Sequence, residues 1–162
     1  MRIKGLQDED FVNYKKPSMF IGTMTCDWKC CNELCVDSSM CQNSLLANSE
    51  IIEVPTDEIF RRYSTNLITK AIVIGGLEPF LQFDEVYKLI EHFRNNECKD
   101  DFVIYTGYYE NEIKEYIDRL LNFENIIVKF GRYIPGYKRH FDGVLGVYLA
   151  SDNQFGKELS RI

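Results

Sequence analysis

Apolar residues recur along this chain at two alternating periods, and that alternation narrows the fold more than any other feature. A short β-type run, Met19 to Gly22, comes first. In the stretch PTDEIFRRYST, Pro55 and Thr56 start a helix, and Ile59, Phe60 and Tyr63 make one apolar stripe. Ala71 to Ile74 then form a continuous apolar run ending at Gly75 and Gly76, the pattern of a strand buried on both faces. The helical spacing returns at Phe83, Val86, Tyr87, Ile90 and Phe93, the strand pattern at Phe102 to Tyr105, and the helical stripe at Ile113, Tyr116, Ile117, Leu120 and Leu121. Ile126 to Phe130 and Val144 to Leu149 supply two more strands, separated by a loop containing Gly and Pro.

Strands alternating with helices of this length pair in parallel through right-handed crossovers, because each helix must return the chain to the same end of the sheet. The class is therefore α/β with a mostly parallel sheet, and ligands in such folds bind beyond the C-terminal strand ends. The cysteine-rich loop, GGLEP, TGY, FGR and ASDNQ all fall at those ends.

A length of 162 residues fits one domain, spanning 1–162, with a real core. The net charge of −6 weighs against nucleic acid and anionic membrane as partners, since polyanions reward a basic face. The first twenty residues hold no signal-type apolar segment, and no later stretch approaches the ~20 apolar residues of a spanning helix. The expected location is the cytoplasm, where thiols stay reduced and clustered cysteines are more often metal ligands or redox groups than disulfides.

Five of the six cysteines lie between Gly22 and Ser44, in a polar segment read as a long functional loop over 23–50. Cys26 and Cys30 are spaced to turn two thiolates toward one metal centre, and Cys31, Cys35 and Cys41 offer several ways to complete the set. Four thiols would suit structural zinc, although zinc ribbons favour C-x2-C pairs. Three would suit an iron–sulfur cluster with one iron left open to bind and reduce a substrate or cofactor.

The phrase TCDWKC followed by CQN resembles the radical S-adenosylmethionine motif C-x3-C-x2-C, whose third cysteine is often followed by a polar residue and Asn. On that resemblance Cys26, Cys30 and Cys41 are the ligands, Asn43 follows the third, and CNELCVDSSM is an insertion. Cys31 then competes with Cys30, and Cys35 with Cys41. The stretch Gly75, Gly76, Leu77, Glu78, Pro79 resembles the family's Gly-Gly-Glu-Pro segment, which binds the methionyl amino group; either Gly76 or Glu78 would make the closest contact. The run Tyr105, Thr106, Gly107, Tyr108 and the stretch LASDNQ are similar to segments of small activases of the anaerobic ribonucleotide reductase type, which implies cofactor contacts for Thr106 and Asn153. Lys129 is a charge inside an apolar run, which points to a role at the site.

The resemblance implies a partial (β/α) barrel of radical S-adenosylmethionine type. It further implies a 4Fe-4S cluster, S-adenosyl-L-methionine as cosubstrate, flavodoxin or ferredoxin as electron donor, and a glycyl radical enzyme, the large subunit of anaerobic ribonucleotide reductase, as partner. A peptide or small metabolite as substrate and a non-catalytic zinc or thiol module are the alternatives. His92, on a helix, and His140, in the loop YKRH, do not have the look of catalytic groups. The loop itself, with Arg132, Tyr137, Lys138 and Arg139, reads as a docking patch or a solvated loop.

Overall fold

A computed structural model describes residues 1–160. In chain order the strands and helices are β1 (Arg2–Ile3), β2 (Gly5–Asp10), β3 (Ser18–Gly22), α1 (Lys29–Leu34), α2 (Ser44–Ala47), β4 (Ile52–Glu53), α3 (Thr56–Thr65) and β5 (Ala71–Gly75). They continue with α4 (Phe83–Asn95), β6 (Asp101–Tyr105), α5 (Lys114–Leu120), β7 (Ile126–Phe130), β8 (His140–Asp142), β9 (Val147–Leu149) and β10 (Phe155–Leu159). Six strands make the central sheet in the order β10-β7-β6-β5-β3-β2. The four inner strands are parallel, and β2 and β10 close the two edges antiparallel. The protein is thus mixed α/β with a mostly parallel central sheet.

Winding explains where the helices lie. Strands β3, β5, β6 and β7 follow one another across the sheet without reversing, so right-handed crossovers put α3, α4 and α5 on one face. Their stripes pack there on alternate strand residues: Ile59, Tyr63, Val86, Leu89, Ile90, Phe93, Ile117 and Leu120 against Ile72, Ile74, Phe102, Ile104, Ile126 and Val128. Phe93, fully buried, meets Phe60 and Phe102 edge-on at 5.0 and 5.2 Å, contacts whose loss in an alanine variant costs about 3–5 kcal/mol.

The other parity faces away from the helices. Ala71, Val73, Val103 and Ile127 form a smaller cluster there, covered by Tyr14, Leu145 and Leu149. The next row toward the C-terminal ends runs across the sheet through Gly22, Gly75, Tyr105 and Lys129. Leu46 of α2 lies over Gly22, while Tyr105 and Lys129 of this row line the site.

Two expectations need correction. The strand expected over Val144 to Leu149 does not join the main sheet: Val147–Leu149 pairs with His140–Asp142 in a separate hairpin. The sheet is completed by Phe155–Leu159 and Gly5–Asp10, whose polar sequences FGKEL and GLQDED suit exposed edges and conceal them from a hydrophobic reading. The loop over 23–50 also carries structure of its own, α1, α2 and a 3-10 turn at Ser38–Met40.

Candidate functional site

The cysteine segment leaves β3 and is fastened at once to the GGLEP loop. Thr23 donates its backbone N–H and its hydroxyl to the Gly75 carbonyl, Met24 N–H donates to Gln82, and Glu78 N–H donates to the Thr25 carbonyl. Cys26 therefore starts from an anchored position. Trp28 follows with φ 58°, a left-handed backbone strained by about 1–3 kcal/mol in a residue with a side chain, and turns the chain into α1. There its N–H donates to Cys26 Sγ at 3.3 Å.

Helix α1 is held on the strand ends by charge. The buried Arg132 guanidinium, just past β7, reaches Glu33 of α1 at 2.8 Å and Glu112 at 2.6 and 2.8 Å, while Lys29 of α1 pairs with the same Glu112. These partners hold the Glu112 carboxyl down at about 2, with the Arg132 bond the largest influence. Arg132 is thus a clamp rather than part of a solvent-facing patch, whereas Tyr137, Lys138 and Arg139 are exposed. Gly107 lets α1 come close: a side chain there would begin 3.1 Å from Cys30 Sγ.

Above the sheet row lies a cavity of about 700 Å³. Cys26, Cys30, Cys31 and Cys41 all line it, together with Asn43, Gly76, Tyr105, Lys129 and Gln154. Cys35 is exposed and is not among the lining residues. Gly76 has φ +78°, and a side chain there would start 2.3 Å from Leu46 of α2, so this glycine is required both by its backbone and by the helix that follows Cys41.

Glu78 and Thr106 meet beneath the cavity instead of lining it. The buried Glu78 carboxylate accepts from the Thr106 hydroxyl at 2.8 and 2.9 Å, from Gly107 N–H at 3.0 Å and from Phe80 N–H at 3.1 Å. Burial raises its pKa to about 7 against the pull of those donors. The YTGY residues share one task, tying strand ends together: Tyr105 donates to the Asn13 carbonyl, Thr106 to Glu78 and Tyr108 to Asp27. Asn153 donates to the Arg132 carbonyl at 2.8 Å and to the Tyr109 hydroxyl at 3.1 Å, outside the cavity lining.

Lys129 differs from the other buried polar groups. The residue is 7% exposed and lines the cavity, and among the described residues its ammonium makes one hydrogen bond, to the Gly131 carbonyl, for its three donors. Burial lowers its pKa to about 8, while Cys30 and Glu78 act in the opposite direction. Such a group attracts an anion.

The donor set fits an iron–sulfur cluster. The lining holds four thiols and the Met40 thioether but no His, Asp or Glu, a set of soft ligands that suits soft metals and clusters. Two backbone N–H groups already point at sulfur, Trp28 at Cys26 and Asn43 at Cys41 (3.4 Å), the kind of hydrogen bond that tunes cluster potentials. Among the described residues no three His, Cys, Asp or Glu groups are gathered tightly enough to hold a single metal ion.

Of the residues expected to act, Cys26, Cys30, Cys41, Asn43, Gly76 and Lys129 line one cavity; Gly75, Glu78, Thr106 and Asn153 do not. Gly75 packs under Tyr105 instead, where a side chain would begin 2.9 Å from Tyr105 Cβ. Cys31, which the sequence offers as a competitor of Cys30, lines the cavity too, as do Tyr105 and Gln154, which belong to the YTGY and LASDNQ stretches but have no role assigned from the sequence. Strand parity carried a signal for Tyr105, which lies in register with Lys129. For Cys31 the signal was its place among the clustered thiols, and for Gln154 no local signal existed.

No curated protein and no solved structure matches this chain. One family description does match, a 4Fe-4S single cluster domain, over residues 19–144, which is 126 of 162 residues. The match begins in β3 and takes in every cavity thiol, the GGLEP and YTGY loops, Lys129 and the Arg132 clamp. The chain belongs to the 4Fe-4S single cluster domain family.

Proposed function

We propose that this protein is a radical S-adenosylmethionine enzyme that installs a glycyl radical on a partner, the large subunit of an anaerobic ribonucleotide reductase. The observation that carries the reading is one cavity, at the C-terminal ends of four parallel strands wound in one direction, that joins the three expected thiols to Gly76 and to a buried, under-bonded lysine. The one-directional winding supports the reading as a partial barrel.

Cys26, Cys30 and Cys41 hold the cluster, which supplies, when bound, the single electron that splits S-adenosylmethionine into methionine and a 5'-deoxyadenosyl radical. Gly76 offers bare backbone to the methionyl amino group, and Asn43 lines the same space. Lys129 meets the carboxylate with its buried ammonium, which binds and orients the methionyl end. Tyr105 and Leu77 wall the cavity against water, as a radical requires. A backbone glycine of the partner reaches the radical through the open mouth, lined by Val12, Tyr137, Arg139 and Tyr148, and gives up one hydrogen atom. Flavodoxin or ferredoxin delivers the electron.

Anaerobic reconstitution with iron and sulfide tests the reading. The expected product is a brown protein with about four irons per chain that forms 5'-deoxyadenosine from S-adenosylmethionine and dithionite. Tight zinc in place of sulfide-dependent colour, or a cluster that leaves S-adenosylmethionine intact, refutes it. A glycyl radical on the reductase subunit, seen by electron paramagnetic resonance after mixing, identifies the partner; a radical on a small metabolite or short peptide instead would replace it.

A further inference from the structure

We propose that Cys31 is a fourth thiolate ligand, occupying the open corner of the cluster until S-adenosylmethionine displaces it. This rests on the reading that Cys26, Cys30 and Cys41 hold the cluster, and it adds a closed resting state to that reading.

Four thiols, the number a fully ligated cluster takes, line the same cavity, and the fifth cysteine of the segment, Cys35, is exposed outside it. Cys31 is buried, 6% exposed, and belongs to neither of the two apolar core clusters. Successive helical residues point roughly 100° apart. Cys30 Sγ accordingly lies against Gly107, while Cys31, one position further along the helix, lines the cavity together with Cys41. Cys26, Cys30, Cys31 and Cys41 thus border one space. The C-terminal end of α1 keeps Cys31 in reach, because Cys35 at φ 53° ends the helix and its N–H bonds back to Asn32, and Val36 N–H to the Cys31 carbonyl itself. The Arg132 clamp to Glu33 fixes the same turn.

The exchange balances without a redox step. On ligation the Cys31 thiol gives its proton to solvent and forms one iron–sulfur bond. When the amino and carboxylate groups of S-adenosylmethionine take that iron, the bond breaks and the thiolate recovers a proton.

Oxidative iron loss tests this independently of turnover. A cluster corner without a thiolate, after giving one electron to ferricyanide, releases ferrous iron and leaves a paramagnetic three-iron cluster. The reconstituted full-length protein, without S-adenosylmethionine, is therefore oxidised and followed by iron analysis and electron paramagnetic resonance. Wild type and Cys35→Ala should keep about four irons, and Cys31→Ala should drop to about three and show the three-iron signal. Cys31→Val, which keeps the buried space filled, should behave like Cys31→Ala, and circular dichroism checks that both fold. Loss of one iron from wild type, or full retention in the Cys31 variants, overturns the proposal while leaving the cluster reading intact. Absence of any cluster in wild type overturns both.

Discussion

Replacing Glu78 by Gln isolates one buried charge whose effect on stability has a definite sign. In the folded protein this carboxyl titrates at about 7 because burial disfavours the anion, against an ordinary value of 4.5 in the unfolded chain. Below about 4.5 both states are protonated and the fold keeps its full stability. As pH rises, the unfolded chain releases its proton first, so stability falls until the folded carboxyl has also ionised, above about 7. The gap, at about 1.4 kcal/mol per pH unit, amounts to about 3 kcal/mol, of which about 2.5 kcal/mol falls between about pH 5 and about pH 8. Glutamine carries no such titration. Its amide keeps one acceptor oxygen and turns an NH2 donor toward the N–H of either Gly107 or Phe80, which lowers stability by about 1–3 kcal/mol at every pH. Urea unfolding of the reduced, cluster-free protein, followed by circular dichroism at both pH values, separates the two effects. Wild type should lose about 2–3 kcal/mol more than Glu78→Gln on going to the higher pH. Equal losses in the two proteins would show that Glu78 ionises normally and that the bridge to Thr106 and Gly107 is drawn wrongly.

Arg132→Ala removes the clamp to Glu33 and Glu112, and thermal melting should show a loss of about 2 kcal/mol together with lower iron content after reconstitution, since α1 carries two of the cavity thiols. Unchanged iron content would mean that α1 is positioned by other contacts. Gly76→Ala must place Cβ 2.3 Å from Leu46 at φ +78°, so it should destabilise by at least about 1–2 kcal/mol, and adding Leu46→Ala should relieve the clash and leave the backbone penalty. Recovery of the whole loss in the double variant would rule out the backbone share. Lys129→Met should keep the iron count and weaken S-adenosylmethionine binding by about tenfold or more in equilibrium dialysis, about 1.4 kcal/mol, and equal affinity would remove the lysine from the site.

The legible part of this molecule was local. Apolar runs such as Ala71 to Ile74 and stripes such as Phe83, Val86, Ile90 and Phe93 declare strand or helix through the spacing of neighbours in sequence, and their alternation implies a parallel sheet with its site at the C-terminal strand ends. The thiols, the double glycine and an isolated lysine in IIVKF were visible as residue types out of keeping with their surroundings. The edge strands were not, because Gly5–Asp10 and Phe155–Leu159 are polar and gain their hydrogen bonds only from β3 and β7.

Sequence alone thus determined the alternation of elements and the inventory of reactive groups, since both follow from side-chain chemistry and near-neighbour periodicity. Which groups meet was decided by the tertiary structure. Glu78 faces Thr106 across 28 positions, and Arg132 reaches back past Glu112 to Glu33 on the cysteine helix. Cys31 enters the cavity while Cys35 turns to solvent, a difference set by the pose of one short helix. Such pairings depend on how strands are ordered and how a helix is clamped to them, and no spacing along the chain encodes that order.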